Sequence, residues 1–112
     1  MSGSVNNALT AAESMKEKYP ERKIIVIDST CSSSGYGMLV DYAADMRDKG
    51  ASIEETAELI NAIKGKIHHQ FFSTDLTHFR RSGRVSGPYA MIGTVLGICP
   101  VMCLDDGGKI IA

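Results

Sequence analysis

The chain has 112 residues, 44% of them apolar, which is room for one small domain with a modest core. Twelve Lys and Arg stand against 13 Asp and Glu, a formal charge of -1, and the acidic and basic residues balance in each half of the chain. That excludes a strongly basic, nucleic-acid-binding or anionic-membrane-binding surface as the main partner site, and no apolar run approaches the ~20 residues of a membrane span. The three cysteines, Cys31, Cys99 and Cys103, form no C-x-x-C pair and follow no signal peptide, so the reading is a cytoplasmic protein without a disulfide framework.

In chain order, Val5, Ala8, Leu9, Ala12 and Met15 recur at one-face helical spacing after Ser2, Gly3 and Ser4, and Tyr19-Pro20 stops that first helix. Lys23-Ile24-Ile25-Val26-Ile27 is a continuous branched run of the kind buried on both faces of a sheet, which predicts a parallel strand with Asp28-Ser29-Thr30 at its carboxyl end. The run from Ser32 to Gly37 reads as a Ser/Gly loop. Met38, Leu39, Tyr42, Ala43 and Met46 then form a second helical stripe with Gly50 as its terminal cap, and Ser52 with Glu55 fits a capping box opening a third helix through Ile63.

Residues 67–73 read as a strand, Thr74 or Asp75 as the cap of a short helix through Arg81, and Pro88 as the first turn of a helix reaching Leu96. Residues 98–104 predict a strand that turns at Asp105-Asp106-Gly107-Gly108 into a hairpin with Lys109-Ile110-Ile111. Helices alternating with strands give an α/β class, and a chain that opens at a helix cap and stops inside a hairpin suggests a piece of something larger.

The candidate sites are few. Ser2, Gly3 and Ser4 stand at a helix N-terminus, where unpaired N–H groups and the dipole attract a carboxylate or phosphate, although an ordinary cap looks the same. Ser29, Ser34 and their neighbours lie beyond the end of the expected strand, where open α/β sheets bind ligands, but neither a P-loop nor a dinucleotide fingerprint is present. His68 and His69 point to opposite faces of a strand and, with His78, read as structural; Cys99 and Cys103 read as buried small hydrophobes rather than metal ligands. Arg80, Arg81 and Arg84 are a local basic cluster at a turn. No nucleophile is linked by spacing to a base, so the residues show no enzyme, while the methionines and the stripe from Tyr89 to Leu96 suit either a core or an acyl-chain tunnel.

From Leu76 the pattern Leu76, Phe79, Arg80, Gly83, Arg84, Val85, then Ile92, Gly93, Leu96, Ile98 and Pro100, resembles the motif pair of the DegV family of bacterial fatty acid-binding proteins. Val26-Ile27-Asp28-Ser29, Ser34-Gly35-Tyr36-Gly37-Met38-Leu39-Val40 and Gly50-Ala51-Ser52-Ile53-Glu54-Glu55 are similar to further family segments, and Met1-Ser2-Gly3-Ser4 to the tail of another. The resemblance spans all 112 residues but only the middle of the family's usual length. It implies an α/β fold: the parallel-sheet part of a first domain over about residues 1–74, running into the start of a second α/β domain over about 75–112.

The resemblance also implies a non-catalytic protein without cofactor or metal. It would hold a long-chain fatty acid in an apolar tunnel and present its carboxylate to a fatty acid kinase. Ser2 and the Gly3 amide would meet the carboxylate, Arg84 would lie near the head group or the kinase-facing surface, and Ser29 and Ser34 are weaker ligand-binding candidates. An early strand with a head-group hydroxyl would precede Met1, and a C-terminal half with a head-group histidine would follow Ala112. A shortened chain of this kind is expected to be unstable, to self-associate, or to represent a partial gene product. The alternative reading is an α/β enzyme or anion-binding domain acting on a soluble phosphorylated small molecule.

Overall fold

A computed structural model describes residues 3–85 and 99–111. The expected helix over residues 88–96 and the side chain of Ser2 lie outside them. The chain divides into two compact units, one ending at Lys64 and the other beginning at Gly65.

The first unit is built from three helices and one long connection. Helix α1 (Ser4–Lys18) stops at Tyr19, whose N–H donates to the Met15 carbonyl at 2.8 Å. Pro20 follows, and a residue before proline is steered away from helical backbone. Ala12 is buried on this helix, whereas Leu9 and Met15 are 47% and 45% exposed, so the expected stripe is only partly covered.

Helix α2 (Ser33–Asp48) begins earlier than the Ser/Gly composition suggested. The Ser32 carbonyl accepts from the N–H groups of Gly35 and Tyr36, at 3.1 and 3.3 Å, which turns the expected loop into the first helical turn. Gly50 closes the far end with φ 82°, the left-handed conformation that glycine adopts without a Cβ penalty. Helix α3 (Ile53–Ile63) carries the expected capping box: the Ser52 hydroxyl accepts from the Glu55 N–H at 3.2 Å, and a Glu55 carboxylate oxygen accepts from the Ser52 N–H at 2.8 Å.

Residues 23–27 depart from expectation. They form no strand pairing among the described residues. A branched run has the side chains of a central strand, but a strand exists only where a neighbour supplies the ladder, and none of the described segments pairs its backbone with this one.

The sheet belongs to the second unit and is antiparallel, in the order β1 (Gln70–Phe72), β2 (Val101–Leu104), β3 (Ile110–Ile111). Phe71 stands opposite Met102, and Leu104 opposite Ile110. The β2–β3 turn is fastened by Asp105, whose Oδ1 accepts from the N–H groups of Gly107 and Lys109 at 3.0 and 2.8 Å. Gly108 supplies the positive φ, 71°, that the turn needs. Between β1 and β2 lies helix α4 (Thr77–Arg81), with the Thr77 N–H donating to Asp75 Oδ1 at 2.8 Å.

Met102 is fully buried and Leu76 nearly so, with Phe71, Phe79, Val85 and Ile110 packed around them. The rings of Phe71 and Phe79 stack with centroids 6.1 Å apart. Phe72 and Val101 face the other way and are 72% and 66% exposed, the alternation a one-sided sheet requires. Both strands are shorter than their apolar runs. Pro100 offers no N–H and precedes the first ladder residue, and Cys99, expected to be buried in this strand, is instead exposed before it.

Candidate functional site: an apolar groove on the first unit

The first unit holds a groove of about 200 Å³. One wall is Tyr36, Leu39, Val40 and Ala43, one face of α2 at helical spacing. A second wall is Ile53, Thr56, Ala57 and Ile60 of α3. The floor is Ile25, Ile27 and Ser29, alternate residues of the connection before α2. That period of two is strand-like even though the segment has no strand partner.

Of the α2 stripe, Leu39 and Ala43 line the groove, and Met46 is half-buried outside it. Tyr36 and Val40 line the groove although they are 56% and 50% exposed, whereas Met38 and Tyr42, 50% and 46% exposed, do not line it. Three- and four-residue steps from Leu39 lead either way round the helix, and only the position of residues 25–29 selects between them. On α3 the expected Ile53, Ala57 and Ile60 all line the groove, and Thr56, which sequence reasoning passed over, joins them. Its hydroxyl donates to the Ser52 carbonyl at 2.8 Å, so the wall presents chiefly its methyl-bearing side.

Polar groups collect at the end of the floor. Ser29 is half-buried, with its Oγ accepting from the Cys31 N–H at 3.2 Å. The Thr30 N–H donates to Asp28 Oδ1 at 2.9 Å, and Lys64 Nζ donates to the Asp28 carbonyl at 2.7 Å. Thr30 and Ser33 hold φ values of 53° and 48°. Left-handed backbone is disfavoured for a branched residue such as Thr30, at a cost on the order of 1 kcal/mol, and these local bonds hold it there. The Cys31 thiol lies 3.9 Å from the Lys64 carbonyl; burial pushes its pKa up, with the Lys64 charge opposing in part, so it is a poorer nucleophile than a free thiol.

The other expected ligand residues are placed as follows. Gly3 is exposed at the start of α1, its carbonyl accepting from the Asn7 N–H at 3.0 Å, and a Cβ there would meet nothing within 4 Å. Ser34 is exposed in the first turn of α2 and does not line the groove. Arg84 belongs to the second unit. It is exposed, with Nη1 donating to the Ser82 carbonyl at 2.6 Å, directly after Gly83 at φ 69°. Of the described candidates in the first unit, Gly3, Ser29 and Ser34, Ser29 alone lines the groove. His68 is exposed and His69 half-buried, and among the described residues no cluster of His, Cys, Asp and Glu is arranged to hold a metal ion.

A groove with this lining presents apolar surface and few directional contacts, and it is open: Ile25, Tyr36, Val40 and Ile53 are 41–56% exposed. It is suited to alkyl groups rather than to a charged metabolite. Comparison with known proteins agrees with the sequence resemblance. The family model described as "Uncharacterised protein, DegV family" matches residues 1–112. The chain belongs to the DegV family.

Among curated relatives, a DegV domain-containing protein of Clostridium perfringens is 38% identical over 98% of this chain and 38% of its own length. One from Lactococcus lactis is 34% identical, with the same shares covered. The DegV-family chain also resembles a solved structure named for fatty acid binding of a DegV family protein from Thermus thermophilus. That match has a TM-score of 0.75 and 32% identity, covering 99% of this chain and 38% of the other. A fatty acid binding DegV family protein from Streptococcus agalactiae matches with a TM-score of 0.74 and 26% identity, covering 98% and 39%. The chain thus spans a little over a third of the length of the relatives it matches. The α/β reading stands with these neighbours, and no helix among the described residues is long and apolar enough to cross a membrane.

Proposed function

We propose that this DegV-family chain is part of a cytoplasmic, non-catalytic fatty acid carrier. In this reading the groove between α2, α3 and residues 25–29 takes part of a long acyl chain, and the carboxylate sits at the N-terminus of α1 against the Ser2 hydroxyl and the Gly3 amide. Arg84 serves the head group or the surface offered to a fatty acid kinase, which would phosphorylate the carried acid. Ser29 and Ser34 are secondary polar contacts.

The observation that carries the proposal is the groove itself, about 200 Å³ walled by Ile, Leu, Val and Ala side chains with only Ser29, Tyr36 and Thr56 carrying side-chain hydroxyls. The fatty acid-binding DegV relatives of Thermus thermophilus and Streptococcus agalactiae support the same ligand class. Burial of methylenes would dominate affinity, at about 0.8 kcal/mol each, and the few polar groups would orient the head.

Native mass spectrometry of the 112-residue chain, purified without detergent and measured before and after solvent extraction, tests this directly. The expected result is one fatty acid per chain or per assembly, lost on extraction and regained when a long-chain fatty acid is added back. Binding should carry a negative heat-capacity change, the mark of buried apolar surface. A chain that stays empty after long-chain fatty acid is added would refute acyl binding by these 112 residues.

A further inference from the structure

The floor of the groove is fastened to α3 near both ends of that helix. Lys23 Nζ donates to a Glu54 carboxylate oxygen in the first turn of α3, and Lys64 Nζ, just past its last, donates to the Asp28 carbonyl at 2.7 Å. The first contact is an ion pair between side chains that are both more than half exposed, and such pairs hold little. The second differs in kind. Lys64 is half-buried and is the C-cap of α3, its N–H donating to the carbonyl of Ile60, a residue of the groove wall. Its charged ammonium meets a carbonyl, a stronger bond than a neutral donor would make.

That carbonyl lies directly before Ser29, the polar end of the floor. Within residues 28–31 the turn is folded on itself: the Thr30 hydroxyl donates to the Ser29 carbonyl at 2.7 Å, and Asp28 Oδ1 and Ser29 Oγ accept from the Thr30 and Cys31 N–H groups. These bonds shape the turn without aiming it. Two contacts carry it to α3, and both are to residue 64, because the Cys31 thiol also approaches the Lys64 carbonyl, at 3.9 Å. Thr30 holds φ 53° in this turn, a conformation that persists only where its surroundings over-determine it.

We propose that Lys64 is a positioning residue of the groove, which locks the turn at residues 28–31 onto the end of α3 and so keeps Ser29 on the lining. The lock is a property of the first unit alone. Its effect on a fatty acid rests on the carrier reading above.

Alkylation by iodoacetamide tests the lock without lipid, with Cys31 as reporter in a Cys99→Ser, Cys103→Ser background of the 112-residue chain. Burial raises the Cys31 pKa and the Lys64 charge opposes it, so loss of charge alone would slow the reaction, whereas release of the turn frees the thiol and speeds it. Lys64→Met should react roughly threefold faster or more, and Lys64→Arg, which can donate to the same carbonyl, should stay near the parent rate. Lys64→Gln, uncharged and shorter, serves as the second variant, and far-UV circular dichroism checks that each stays folded. In calorimetry with tetradecanoic acid and with tetradecanol, loss of the lock should weaken both ligands about equally, roughly threefold to tenfold, with Lys64→Arg close to the parent. A folded Lys64→Met or Lys64→Gln chain whose Cys31 reacts no faster than the parent overturns the lock. An affinity loss confined to the acid overturns the positioning role, because Lys64 would then act on the carboxylate by its charge. If the parent binds neither lipid, the carrier reading fails and the alkylation rates still decide the lock.

Discussion

Ala43→Phe on α2 should shorten the acyl chain that the groove can hold. Ala43 is half-buried and lines the groove, so an aromatic ring there projects into the space. A groove of about 200 Å³ holds roughly seven groups of water's size. Each methylene is worth about 0.8 kcal/mol fully buried, close to fourfold in affinity, and about half that, near twofold, on an open wall. A homologous series of fatty acids should therefore gain about two- to fourfold per methylene and then level off once the groove is full. A ring that displaces about three methylenes should cost about 1.2–2.4 kcal/mol, or roughly eightfold to sixtyfold. Titration calorimetry across the series, on wild type and variant, gives both the slope and the plateau, with circular dichroism confirming that α2 and α3 remain helical. A flat chain-length dependence, or an Ala43→Phe protein that binds every homologue like wild type, would refute the assignment of the groove to the acyl chain.

Other expectations concern the head group, the caps and the second core. Ser2→Ala should weaken fatty acid binding by about 1 to 3 kcal/mol if its hydroxyl bonds a charged carboxylate, read by the same titration. Ser52→Ala removes one arm of the capping box and should cost about 1 kcal/mol in denaturant unfolding, with Ser52→Gly milder by comparison. Hydrogen bonds from Ser52 hold the Glu55 carboxyl below its ordinary pKa, and those from Thr77 do the same for Asp75. A depressed carboxyl stabilises above its ordinary pKa, and that contribution fades as pH falls through the lowered value, so stability should decline in acid rather than near neutrality. Asp75→Asn should flatten that decline in a pH series of thermal melts. Met102→Ala empties the fully buried centre of the second unit and should cost about 2 to 5 kcal/mol in chemical denaturation.

Local chemistry made much of this protein legible before any coordinates. The stop of α1 at Tyr19-Pro20, the capping box at Ser52 and Glu55, and the Asp105 turn into β3 each depend on residues within a few positions of one another, and each is present. The family motifs are local in the same sense, so membership was readable from residues 76–85 and their neighbours. The site was less legible. Ser29 was named among its candidates, but Tyr36, Val40 and Thr56 were not, because which side of a helix faces inward depends on what packs there.

By itself, then, the sequence determined helix ends, turns, the apolar character of each segment and the family. The tertiary structure decided where those segments found partners. Residues 23–27 have the composition of a buried central strand but no ladder among the described residues, since backbone pairing is a property of two segments and composition describes one. Cys99 has the character of a core residue and is exposed, because Pro100 delays the ladder until Val101. The same rule accounts for the antiparallel sheet of the second unit: a tight turn at Asp105 and the pairing of Phe71 with Met102 bring its strands together, and no property of either strand alone specifies that neighbour.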